Sequence, residues 1–152
     1  MNIILQTPRL ILRQFTIADA AVIQQLNSAP EVLKYIHEPL LENAAQAEQV
    51  LVNNILPQCK KNLGRWAVHT KHNNEFIGWC GLKLSAETSQ IDLKYRFKNA
   101  WGHCYATKAA RDVLDYGFHQ LYLKTIIAEA QVENLASINV VQKIGMQFLK
   151  KT

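Results

Sequence analysis

Trp101-Gly102-His103-Cys104-Tyr105-Ala106-Thr107 stands between a strictly alternating stretch and a strongly amphipathic one, and its reading decides the fold. Before it, Ile91, Leu93, Tyr95 and Phe97 alternate with Asp92, Lys94, Arg96 and Lys98. A period of two marks a strand with one buried face. After it, Ala106, Ala109, Ala110, Val113, Leu114, Gly117 and Phe118 recur at helical spacing, and small residues in the first turns suit a helix lying close against a sheet. Thr125 to Val132 again reads as a strand. The unit is therefore strand, loop, helix, strand, with parallel strands and a right-handed crossover.

Such a loop delivers a helix N-terminus, whose unpaired N–H groups and partial positive charge favour a phosphate or pyrophosphate. A solvated connection around a lone Gly102 accounts for the same residues equally well, and both readings stand. Cys104 sits where a helix terminus lowers a thiol pKa, but no base partner can be assigned to it, so a structural role is the plainer reading. Further on, Asn134-Leu135-Ala136-Ser137 leads into Ile138 to Gly145. Asn134 suits an N-cap, while Lys143 and Gly145 suit the close of a short helix. Capping does not require Ser137, whose hydroxyl in the first turn would face the crevice where open sheets bind ligands.

Thr7-Pro8-Arg9-Leu10-Ile11-Leu12-Arg13, Phe76-Ile77-Gly78-Trp79-Cys80-Gly81-Leu82, Trp101 to Ala110 and Asn134 to Gly145 resemble, in order and over nearly the whole chain, the GNAT superfamily of N-acetyltransferases. More narrowly they resemble its RimJ/RimL branch, which includes enzymes acetylating the N-termini of ribosomal proteins. The resemblance implies an α/β (α+β) fold in one domain over residues 1–152, a mixed central sheet with splayed parallel strands and flanking helices. It implies acetyl-CoA as co-substrate, lying between the strands at Ile91 to Phe97 and Thr125 to Val132. The pyrophosphate would rest on backbone amides of Gly102, His103, Cys104, Tyr105, Ala106 and Thr107, the pantetheine would pair with main chain near Phe97, and Asn134 would hold the cofactor's arm.

The implied activity is acetyl transfer by direct attack of a primary amine of a peptide N-terminus, a protein or a small molecule. Strand N–H groups would stabilise the oxyanion, and proximity would supply much of the rate. Ser137 matches a position proposed to protonate the departing thiolate, the tyrosine of many other members falling at Val141. Asp92 matches approximately a strand position where some relatives carry a glutamate that takes the amine proton. A surface carboxylate beside Lys94 is the plainer alternative. Tyr35, His37, Trp66 and Trp79 are the implied acceptor-site candidates, with packing favoured for Trp79 between Gly78 and Gly81.

The chain departs from the family pattern at Cys104, where a glycine is usual and positive φ would cost a side chain about 1 kcal/mol or more. Lys108 replaces a common glutamate and would attract phosphate. The sequence stops at Thr152, within or just after a strand candidate at Met146 to Lys151, where relatives continue into one more strand. That would leave the Thr125 to Val132 strand with an open edge for a homodimer. The departures frame an alternative: a non-catalytic domain of this fold that binds coenzyme A weakly or acts through self-association.

Composition fits one domain: 152 residues, 49% hydrophobic, can bury a substantial core. The net charge of +5 is scattered, and Arg96, Lys98, His103 and Lys108 near the loop suit an anionic cofactor, with no nucleic acid expected. Cys59, Cys80 and Cys104 lack zinc-ligand spacing and follow no signal peptide, and the histidines form no metal motif, which points to a cytoplasmic protein without a metal. Met1 to Leu5 is too short to span a membrane. Elsewhere the pattern predicts a first strand around Leu10 and Leu12, a helix from Asp19 to about Asn27, and a longer helix from Asn43 to Lys61 kinked at Pro57. It also predicts a hairpin of Trp66 to Thr70 with Glu75 to Leu84 across Lys71 to Asn74.

Overall fold

The alternating stretches form a five-stranded sheet in the order β1 (Ile3–Gln6), β2 (Leu10–Gln14), β3 (Gly64–Thr70), β4 (Phe76–Leu84) and β5 (Ile91–Phe97). Each neighbouring pair is antiparallel. The helices are α1 (Ala20–Leu26), α2 (Ala44–Val50), α3 (Leu56–Cys59), α4 (Gly102–His119) and α5 (Leu135–Lys143). This computed structural model describes residues 3–26, 41, 43–59, 63–85, 89–98, 102–129 and 135–147, with backbone alone at 59, 102–104, 135 and 136.

Both faces of the sheet are covered. On one, Leu10, Leu12, Trp66, Val68, Cys80, Leu82 and Leu93 form a core with Ala106, Ala109, Ala110 and Val113 of α4. The small stripe lets the helix approach closely: a Cβ on Gly117 would stand 2.8 Å from Ile126 Cδ1. Phe118, predicted in that stripe, is 39% exposed, because one residue turns the helix by about 100° from Gly117. On the other face Phe15, Ala67, Phe76 and Trp79 pack against Ile23, Leu26, Ala47, Leu51 and Ile55.

Ile77 and Trp79 are two residues apart yet serve opposite cores. A β-bulge makes this possible: the register with β3 slips between Val68–Gly78 and His69–Phe76, with Gly78 at φ +152. Asn74, at φ +56, closes the expected hairpin, donating its N–H to the Thr70 carbonyl at 2.8 Å. Asn43 caps α2 by accepting the Gln46 N–H at 2.9 Å. The predicted kink at Pro57 takes the form of a π-helical stretch, Leu51–Ile55, after which the Leu56 N–H reaches back to the Leu51 carbonyl. Proline cannot donate and would crowd a carbonyl four residues back, and the wider turn relieves that conflict.

Among the described residues, the parallel pairing on β5 is shorter than predicted. In the described part of the stretch from Thr125 to Val132, only Ile127 pairs, through a parallel bridge with Asp92. Met146 and Gln147 carry no strand pairing, and the rest of the strand candidate at Met146 to Lys151 lies outside the described residues.

Candidate functional site

The antiparallel registers bring the start of β2, the end of β3, the start of β4 and the end of β5 to one end of the sheet, where α4 begins. Along β5 the main-chain groups alternate in direction. Those of Ile91 and Leu93 face Ile127: the Ile127 N–H donates to the Ile91 carbonyl at 2.9 Å, and the Leu93 N–H to the Ile127 carbonyl at 2.7 Å. Lys98 instead donates toward β4, to the Ile77 carbonyl, at 2.9 Å. The same alternation turns the N–H and C=O of Tyr95 and Phe97 toward the Ile127 side. There the parallel ladder has ended, and among the described residues no backbone group pairs with them.

The predicted phosphate loop is largely helix. Gly102 opens α4, so Gly102, His103 and Cys104 supply the unpaired N–H groups of the first turn, while those of Ala106 and Thr107 point to carbonyls four residues back. Cys104 therefore has helical backbone, and the positive-φ strain foreseen there does not arise; its side chain and that of His103 lie outside the described residues. Ala106 is buried in the core. Tyr105 carries the Arg9 guanidinium over its ring at 4.9 Å, tying the turn before β2 to the start of α4. The Thr107 hydroxyl is buried and has no hydrogen-bond partner among the described residues.

Across the end of β5, the Tyr95 phenol oxygen stands 2.7 Å from Ser137 Oγ and 3.4 Å from the Ser137 carbonyl. Burial pushes the Tyr95 pKa above the usual phenol value, against a smaller downward pull from the Ser137 hydrogen bond. Asp92 lies on the opposite face of β5, with Oδ1 buried and unpartnered among the described residues. Burial raises its pKa; Lys94 and Lys83 oppose the rise and Glu129 adds to it.

A family model described as the acetyltransferase (GNAT) domain matches residues 9–147. The chain belongs to the GNAT acetyltransferase family. An uncharacterized N-acetyltransferase, p20 of Bacillus licheniformis, is 32% identical over 147 residues, covering 94% of this chain and 82% of that protein. The crystal structure of a GNAT-family acetyltransferase from Bacillus anthracis superposes with a TM-score of 0.79 at 26% identity, covering 97% of this chain and 84% of that one. RimL, a ribosomal L7/L12 alpha-N-protein acetyltransferase solved in complex with coenzyme A, gives a TM-score of 0.82 at 14% identity, covering 95% and 83%, a likeness of fold. This GNAT chain is an N-acetyltransferase, and its family uses acetyl-CoA.

The residues of the GNAT chain fit acetyl-CoA. The orphaned Thr107 hydroxyl, the open amide edge of Tyr95 and Phe97, and Arg9 beside the start of α4 are the donors and charge that a thioester with a diphosphate requires. Of the other residues predicted for the site, Asn134, Tyr35 and His37 lie outside the described residues. Trp66 and Trp79 are 1% and 3% exposed and belong to the two cores; Trp66 meets Tyr116 edge-on, and Trp79 lies within cation–π range of Arg65 and Arg96. Among the described residues no His, Cys, Asp and Glu cluster could hold a metal ion, and no helix is long and apolar enough to cross a membrane.

Sequence reasoning missed Arg9, Tyr95 and a half-buried network on the α1 side of the sheet. There Arg13 pairs with both oxygens of Asp19 at 2.9 Å and donates from Nε to His69 Nε2 at 3.2 Å. His69 Nδ1–H in turn donates to the Asn74 carbonyl at 3.1 Å. Burial and the Arg13 charge lower the His69 pKa, outweighing the Asn74 bond and Asp19, which raise it. Burial opposes ionisation of Asp19, but the bonds from Arg13 and Thr16 outweigh it and lower that pKa. No spacing rule links residues 13, 19, 69 and 74; the register of β2 with β3 brings Arg13 beside His69, and the turns after β2 and β3 bring in Asp19 and Asn74.

Proposed function

We propose that this GNAT domain transfers the acetyl group of acetyl-CoA to a primary amine of a peptide N-terminus, a protein or a small molecule. The observation that carries the reading is the end of the parallel ladder after Leu93, which leaves the Tyr95 and Phe97 main chain facing outward beside the start of α4. Bound there, acetyl-CoA supplies an acetyl group already activated as a thioester. The Phe97 N–H and C=O pair with the pantetheine arm, and the Tyr95 N–H is placed to stabilise negative charge developing on the acyl oxygen. Gly102, His103 and Cys104 offer N–H groups to the diphosphate, with the Thr107 hydroxyl and Arg9 in support. Ser137 donates a proton to the leaving sulfur, and Asp92, whose pKa burial raises, takes the amine proton directly or through water.

The coenzyme A held by RimL supports this reading through the shared fold. Titration calorimetry with acetyl-CoA, followed by thiol-release assays over a panel of peptide, amino-acid and polyamine acceptors, tests it. Saturable binding and release of thiol dependent on one acceptor class are expected. No binding at millimolar acetyl-CoA would overturn the proposal.

A further inference from the structure

Tyr95 on β5 and Ser137 in the first turn of α5 are 42 positions apart in sequence, yet their hydroxyl oxygens are 2.7 Å apart. A serine hydroxyl alone is a weak proton donor to a departing thiolate. A phenol is a far stronger acid than an aliphatic hydroxyl, so one hydrogen-bonded to the serine can return a proton as the serine gives its own away. Resting on the acetyltransferase reading above, we infer that Tyr95 is a positioning residue for thiol departure: its hydroxyl donates to Ser137 Oγ and makes the pair, rather than the serine alone, the proton source.

The step balances. As the amine nitrogen bonds to the acetyl carbon, the carbon–sulfur bond breaks and its electron pair stays on sulfur. Sulfur takes the Ser137 proton and Ser137 Oγ takes the Tyr95 proton. The phenolate regains a proton from solvent, and the surplus proton on the new amide nitrogen leaves to Asp92 or water. Burial keeps Tyr95 protonated through neutral pH, so the donor is loaded before each turnover. Val141, one helical turn beyond Ser137 on α5, is aliphatic and supplies no proton.

Tyr95→Phe, Ser137→Ala and the double variant, assayed with acetyl-CoA and the acceptor found by the panel, test the inference. Each single change is expected to lower kcat by about 10-fold or more, with KM for acetyl-CoA kept within about threefold. The double variant is expected to be no slower than Ser137→Ala, because groups acting as one unit are not additive. Multiplying losses, or a Tyr95→Phe variant with wild-type kcat, would overturn the inference while leaving the acetyltransferase reading intact. A wild-type protein that neither binds acetyl-CoA nor releases thiol would overturn the reading itself and the inference with it. A second measurement does not depend on turnover or on Tyr95→Phe folding. With carbon-13 in the tyrosine rings, the Tyr95 Cζ resonance is expected to move with coenzyme A and not with desulfo-coenzyme A, and to lose that distinction in Ser137→Ala. An equal response to both ligands in the wild type would overturn it.

Discussion

Replacing Gly78 by alanine should disturb the sheet and the candidate site together. The new Cβ would stand 2.2 Å from the Arg96 carbonyl oxygen and 2.7 Å from Phe97 Cα. Both are backbone atoms of β5 and cannot swing aside. A side chain at φ +152 carries about 1–3 kcal/mol of strain, and overpacking against a neighbouring strand adds about 1–3 kcal/mol. The sum, about 2–6 kcal/mol, is a large part of a typical stability of about 5–15 kcal/mol. At about 2–4 °C per kcal/mol for a chain of this size, the midpoint of thermal unfolding should fall by roughly 4–24 °C. Gly145→Ala is the comparison: φ is +93 but no described atom lies within 4 Å of the added Cβ, so only the backbone cost of about 1–2 kcal/mol is expected. Since β5 must move to admit the new methyl, calorimetry on folded Gly78→Ala should also show weaker acetyl-CoA binding. A fall no larger than that of Gly145→Ala, with unchanged affinity, would refute the reasoning.

Other outcomes follow from single contacts. Arg9→Ala removes the cation over Tyr105, worth about 0.5–1 kcal/mol, and should weaken acetyl-CoA binding by about two- to fivefold in calorimetry; unchanged affinity at low salt would separate Arg9 from the site. Asp92→Asn should cost about 100-fold or more in kcat/KM and flatten the acid limb of the pH–rate profile, which the raised Asp92 pKa shifts upward; a loss under twofold would leave Asp92 a strand carboxylate. The His69 pKa is lowered on folding, so the unfolded chain takes up its proton first as pH falls. The neutral imidazole's contribution to stability is full above about pH 6.5 and declines below it; melting scans should show this slope in the wild type and a shallower one in His69→Gln, and equal slopes would contradict the network.

Much of the architecture is legible along the chain because burial on one face leaves a periodic mark. Leu10 and Leu12, and Ile91 to Phe97, announce their strands by alternation, and His72-Asn73-Asn74 announces the hairpin. Ala106, Ala109, Ala110 and Val113 announce the helix that lies flat on the sheet. The start of that helix is less legible, since Gly102 is compatible with a loop or with a first helical turn, and the choice fixes which N–H groups stay free. Pro57 signals a break but not its form, because a π turn and a sharp kink relieve the same clash. The Thr125 to Val132 stretch has strand-forming residues, but how far two strands remain paired is set by tertiary geometry. For the site, the alternation of β5 fixes the face of Tyr95 but not its partner 42 residues away. The Arg13–Asp19–His69 network is invisible for the same reason: each member has its own local explanation.

The central claim concerns the two strand amides beyond the Leu93–Ile127 pair. Backbone-amide NMR during titration with acetyl-CoA reads them directly. The Tyr95 and Phe97 N–H resonances should shift strongly and saturate together with those of the first turn of α4. Resonances of Tyr95 and Phe97 that stay in place at saturating acetyl-CoA would contradict it.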